Sequence, residues 1–256
     1  MQDGQGTSGR GLGLGQALDF QDGLNTHVDC PLITQMDANK SHSCSKSKTQ
    51  SRGAWLWSLL VLFASFAGQI DAAETRTIVF FGDSLTAGYG LDPDDAYPAL
   101  IQRKIDDARL PWHVVNAGLS GETTAGGLRR LDWVLRQKVD IFVIELGGND
   151  GLRGISPDDS RSNLQTMIGR IRAKYPSVVI VLAGMQLPTN MGPEHTRLFA
   201  SMFPELARAN HVALVPFLLD GVGGIPSLNQ ADGIHPTAEG HQIVAATVWR
   251  ILQPLL

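Results

Sequence analysis

This sequence predicts an α/β domain in which a parallel sheet of about five strands is covered by helices on both faces. Three observations lead there. Five short runs rich in Val, Ile, Leu and Phe recur between residues 77 and 217. Stretches with apolar residues at helical spacing separate them. The runs are mostly continuous in apolar character rather than alternating, as expected of strands buried on both faces. Strand and helix in repetition imply crossover connections and parallel pairing.

The first strand is expected at residues 77–81 (TIVFF) and the second at 113–117 (HVVNA). The third is DIFVIEL (140–146), the fourth SVVIVLAG (177–184) and the fifth VALVPF (212–217). Between the first two, residues 97–108 place Leu100, Ile101 and Ile105 on one helical face. Residues 123–137 carry Leu128, Leu131, Trp133, Val134 and Leu135, and residues 163–175 carry Leu164, Met167, Ile168 and Ile171. Residues 194–209 present Leu198, Phe199, Met202 and Leu206, with Pro204 expected to kink the helix. A last helix is expected over 237–253. Residues 74–256 suit a single domain of this kind, without internal repeat or dividing linker.

The first 73 residues stand apart. Residues 1–53 are polar and Gly-rich, without a sustained period, and read as a disordered leader or as sequence upstream of the true start, for which Met36 is an alternative. Residues 54–73 begin with the apolar run AWLWSLLVLFASFAG, which follows basic residues and precedes DAAE. A run of about fifteen residues falls short of the roughly 20 that span a bilayer. It has the layout of a secretory signal peptide with cleavage near Ala73, so a periplasmic or secreted protein is expected; an uncleaved anchor is the alternative.

Composition excludes several classes. The formal net charge is −4 and no basic block follows residue 53, so no nucleic-acid partner is expected. Both cysteines, Cys30 and Cys44, precede the apolar run, which leaves the remaining chain without a disulfide, a cysteine nucleophile or a thiolate metal site. No metal, no cofactor and no membrane span in the mature chain are expected, and the protein is expected to be a monomer.

In open parallel sheets the chemistry sits beyond the carboxyl ends of the strands. Those positions hold Gly82-Asp83-Ser84 after the first strand, Gly118 in NAGLSGETT after the second and Gly147-Gly148-Asn149-Asp150 after the third. Asp232 and His235, in DGIHPTAEG, precede the last helix. A serine hydroxyl needs a base to become a nucleophile at neutral pH. His235 can take its proton, and Asp232 can hold the imidazole tautomer. The N–H groups of Ser84 and Gly118 and the Asn149 amide can receive an oxyanion. Gly82 is expected to let the chain turn sharply off its strand, and Asp83 to support that turn. Met185, Leu187, Met191, Gly192 and Pro193, after the fourth strand, are candidates for lining an acyl pocket.

The blocks FFGDSLTAGYG, NAGLSGETT, LGGND and DGIHPTAEGH resemble, in order, those of the GDSL or Ser-Gly-Asn-His hydrolase family. LPTNMGPEHTRLFASMFPELA and LNQADGIHPTAEGHQI are similar to its bacterial periplasmic thioesterase, lysophospholipase and arylesterase branch. The resemblance implies a flavodoxin-like three-layer α/β/α sandwich. It also implies Ser84 as nucleophile, Gly118 and Asn149 in the oxyanion hole, and Asp232 and His235 completing a triad. The expected activity is hydrolysis of acyl esters or thioesters through an acyl-enzyme. The same residues could instead pass the acyl group to an alcohol, or persist in a binding module without catalysis.

Overall fold

A computed structural model describes residues 74–256. The expected leader and signal peptide lie outside the described residues. Five parallel strands, β1 (Arg76–Gly82), β2 (Trp112–Gly118), β3 (Ile141–Glu145), β4 (Val179–Ala183) and β5 (Ala213–Val215), form one sheet in the order β2-β1-β3-β4-β5. Seven helices accompany them: α1 (Ser84–Ala87), α2 (Tyr97–Asp107), α3 (Thr124–Val134), α4 (Gly148–Leu152), α5 (Pro157–Lys174), α6 (Pro193–Asn210) and α7 (Ala238–Leu252).

The order follows from handedness. Right-handed crossovers carry the chain from β1 outward to β2, then back past β1 to β3 and onward. That reversal puts α2 on one face and α3, α5 and α6 on the other. The terminal α7 packs against α2, whereas α5 packs against both α3 and α6. The three-layer α/β/α arrangement expected from the sequence is therefore the one observed. β1 and β3 are inner strands with a mostly apolar interior: Ile78, Val79, Phe80, Phe81, Ile141, Phe142 and Ile144 are all fully buried, as is Glu145 at the end of β3. The register pairs Gly82 with both Gly118 and Glu145, so three strands end in one row and their following loops share one edge.

Several elements differ from expectation in extent. The helix expected from residue 163 begins at Pro157. Its first turn is capped by Ser156, whose side chain accepts from the Asp158 N–H, and carries Asp158 and Asp159 against the helix dipole. Short helices α1 and α4 stand where the sequence showed only turns. α6 continues through Pro204 as one helix to Asn210. Trp133, counted among the apolar residues of α3, is 67% exposed.

His241, on α7, is buried at the α2–α7 contact, and its Nδ1 accepts the N–H of Tyr97 at 3.0 Å. It thus satisfies an amide in the first turn of α2 that no helical partner reaches. Burial lowers its pKa from 6.5 to about 4. Its neutral form therefore favours the folded state fully above pH 6.5, and that contribution is lost as the pH falls toward 4. His241→Asn keeps an acceptor but does not titrate. Between pH 7 and 4, denaturant titrations should show the parent losing about 3 kcal/mol relative to this variant.

Candidate active site

Ser84 is the first residue of α1, two positions beyond the end of β1. Asp83 caps that short helix by accepting the Leu85 N–H at 3.0 Å, as expected of a turn-supporting residue. Gly82 serves a purpose other than the expected one. Its backbone does not adopt a left-handed conformation, but a Cβ there would overlap Thr86 Oγ1 and stand 2.5 Å from Glu145 Oε2. The requirement is close packing of α1 onto the end of β3.

Asp232 and His235 come from the loop ahead of α7. Gly233, at φ 69°, turns this loop back on itself. Asp232 Oδ1 accepts the N–H groups of Ile234 (2.9 Å) and His235 (3.0 Å). Asp232 Oδ2 lies 2.6 Å from His235 Nδ1, and His235 Nε2 lies 2.8 Å from Ser84 Oγ. A carboxylate can only accept, so Nδ1 carries the hydrogen and Nε2 is left to accept the serine proton. The hydrogen bond from His235, with those from the two backbone amides, lowers the Asp232 pKa to about 2.

Gln230 ties this loop to the loop that follows α1. Its N–H donates to the His235 carbonyl (2.7 Å), and its Nε2 donates to the carbonyls of Tyr89 (2.7 Å) and Pro236 (3.0 Å). The half-exposed Tyr89 ring leans over the His235 imidazole with centroids 4.6 Å apart.

Asn149 sits in the first turn of α4, after Gly147 at φ 120°. Its Nδ2 donates to Asp83 Oδ2 at 3.0 Å, and its Oδ1 accepts from Arg153 Nη2 at 3.4 Å. The same Arg153 nitrogen reaches the Gly121 carbonyl at 3.1 Å, which brings Gly121 next to Asn149. Asp150 faces inward and accepts the Thr124 N–H (2.8 Å), the Thr124 hydroxyl and the Ser160 hydroxyl. It anchors α4 to α3 and α5.

Gly118 departs from expectation. Its N–H already donates to Asn116 Oδ1 at 2.9 Å, while Asn116 Nδ2 holds the Thr86 carbonyl. A Cβ on Gly118 would overlap the Ala87 backbone, so this glycine seats α1 against β2. Gly121, three residues on, has left the sheet at φ 79°, and its N–H makes no hydrogen bond among the described residues. A glycine still within a strand is a packing position, whereas one in the following turn can offer its amide.

Arg130 is a second residue that sequence reasoning missed. It pairs with Glu122, lies over the Phe81 ring at 4.2 Å, and donates to the carbonyls of Gly82 (3.3 Å) and Ala117 (2.8 Å). It thereby clamps the ends of the two strands from which Ser84 and the 118–121 loop emerge.

The pocket candidates separate. Met185 and Leu187 are buried, and they pack under the glycine side of α4, Met185 against Gly148 and Leu187 against Gly151. Their side chains support the Asn149 helix rather than opening to the rim. Met191 and Gly192 are half-buried and Pro193 is exposed at the start of α6. Exposed apolar side chains on the segments that carry the site residues are instead Leu119 after β2, Leu152 at the end of α4 and Ile234 beside His235.

Residues 80–243 match the GDSL-like lipase/acylhydrolase family. This chain belongs to that family. Esterase TesA of Pseudomonas aeruginosa is 43% identical over 185 residues, 72% of this chain and 91% of the relative. Thioesterase 1/protease 1/lysophospholipase L1 of Escherichia coli is 36% identical over 201 residues, 78% of this chain and 94% of the relative. The crystal structure of the psychrotrophic esterase EstA from Pseudoalteromonas sp., inhibited by monoethylphosphonate, superposes with a TM-score of 0.67 at 31% identity. That match covers 70% of this chain and 98% of EstA. Among the described residues, no helix is long and apolar enough to cross a membrane.

Proposed function

We propose that this family member is a serine esterase that cleaves carboxylic esters or thioesters of acyl groups through an acyl-enzyme. One observation carries the reading: the unbroken chain from Ser84 Oγ through His235 to Asp232, at 2.8 and 2.6 Å. In the first half-reaction Ser84 Oγ forms a bond to the acyl carbonyl carbon as its proton passes to His235 Nε2. The imidazolium, stabilised by Asp232, returns that proton to the departing alcohol or thiol as the ester bond breaks. Water then attacks the acyl-serine, His235 takes its proton and gives it back to Ser84 Oγ, and the carboxylic acid leaves.

The oxyanion is received by the Ser84 N–H, the Asn149 Nδ2–H and, in place of Gly118, the Gly121 N–H. What supports Gly121 is its unengaged amide and its link through Arg153 to Asn149. The exposed Leu119, Leu152 and Ile234 contact the acyl or aryl part of the substrate, with Met191, Gly192 and Pro193 at its outer end. An exported location, periplasmic or secreted, rests on residues 54–73, and the working form is a monomer.

An acyl-enzyme has no memory of its leaving group. With methanol added, acetate esters of p-nitrophenol and phenol and a thioester of the same acyl group should give one ratio of methyl ester to free acid. A ratio that changes with the leaving group would contradict a common intermediate. Methyl ester as the dominant product at low methanol would mark a transferase.

A further inference from the structure

We propose that Asp83 and Glu145 share a single proton behind the nucleophile turn, and that Asp83, left as the anion, is the positioning residue that aims the Asn149 amide. The proposal rests on the reading of Asn149 as an oxyanion donor.

Glu145 closes β3 and has no exposed surface; Asp83 is 2% exposed. The two acids are neighbours: the Asp83 N–H donates to Glu145 Oε2 at 3.2 Å. Two neighbouring carboxyls out of water, with no cation beside them, cannot both be charged, so the pair keeps one proton. No salt bridge reaches either acid among the described residues; the nearby Arg130 is paired with Glu122.

The donors around the pair decide where the charge rests. Asp83 accepts Leu85 N–H at Oδ1 and Asn149 Nδ2–H at Oδ2, so both its oxygens face donors. Glu145 Oε2 accepts the Thr86 hydroxyl at 2.7 Å, and Tyr97 Oη stands 2.8 Å behind that hydroxyl. Glu145 Oε1 is buried with no donor among the described residues, and is the natural seat of the proton. Burial raises both acids, Asp83 to about 6 and Glu145 well above the usual range.

The consequence lies at Asn149. One Nδ2 hydrogen is held by the Asp83 anion, which leaves the other free. A flipped amide would turn its own oxygen against that anion and lose Arg153. The pair therefore locks the amide with its donor toward the site. Glu145 makes the lock possible, because its proton lets Asp83 stay charged without a buried cation.

Infrared spectroscopy of the whole chain at pH 7 tests the shared proton. A protonated-carboxyl C=O band is expected in the parent and should vanish in Glu145→Gln. Kinetics on p-nitrophenyl esters test the positioning. Asp83→Asn should lower kcat on the order of 10²-fold with KM changed by no more than about threefold. Glu145→Leu should also lower kcat, and Glu145→Gln, which keeps a donor and an acceptor, should recover most of that loss. Absence of the band at pH 7, or a kcat for Asp83→Asn within about twofold of the parent, would overturn the proposal. If Asp83→Asn does not fold, the infrared result decides alone. Labelling by a fluorophosphonate separates the two levels: a labelled, fully active Asp83→Asn sinks the positioning role and leaves the esterase reading standing.

Discussion

Ser84→Ala is expected to fold as the parent does and to hydrolyse p-nitrophenyl esters about 10⁴-fold more slowly or worse. The side chain contributes little to stability. Among the described residues its hydroxyl bonds only to His235 Nε2, and α1 is held by other groups: the Asp83 cap, the Thr86–Glu145 bond and the seat on Gly118. The chemistry, by contrast, loses the atom that forms the acyl bond. Whatever rate persists would come from water attacking an ester still held by the oxyanion donors. Equal melting temperatures with lost turnover would separate the chemical role from a structural one. An unchanged rate would remove Ser84 from the mechanism.

Asn149→Ala is expected to cost on the order of 10²–10³ in kcat, with a much smaller change in KM. The amide meets the carbonyl oxygen best once that oxygen carries charge, so its loss raises the barrier more than it weakens binding. α4 should survive the change. Its anchors are Asp150, bound to Thr124 and Ser160, and the packing of Leu187 on Gly151. A fall in KM-dependent binding with kcat intact would assign Asn149 to substrate holding instead. Retention of kcat would remove it from the oxyanion hole.

The residues themselves show which parts of this site can be read from sequence. Parallel pairing follows from the alternation of apolar runs and helical periods, and the register of Gly82 with Gly118 and Glu145 then brings distant loops together. Ser84 and Asn149 were legible as candidates because each stands just beyond the end of a strand, and Asp232 and His235 because they stand just ahead of the last helix. α1 and α4 were not, since they are only one turn long and carry glycine and polar groups rather than an apolar stripe. The first turn of α5 faces solvent, so its apolar period starts at Leu164, although Ser156-Pro157-Asp158-Asp159 had marked the true start.

Glycines were the hardest to assign. Gly118 and Gly121 lie in the same nine-residue block, and only the ladder distinguishes a packing glycine from one in a turn. Met185 and Leu187 looked like loop residues open to substrate, yet the glycine face of α4 draws both inward. Glu145 passed as one more residue of an apolar strand. An acid inside such a run has to be neutral or paired, and that was the available clue.

The central claim is that Ser84 is the nucleophile activated by His235. A fluorophosphonate reagent, followed by proteolysis and mass spectrometry, tests it most directly. The account predicts one adduct per chain, on Ser84, with loss of esterase activity in step with labelling and no adduct in Ser84→Ala. An adduct on another residue, or full activity after stoichiometric labelling of Ser84, would contradict it.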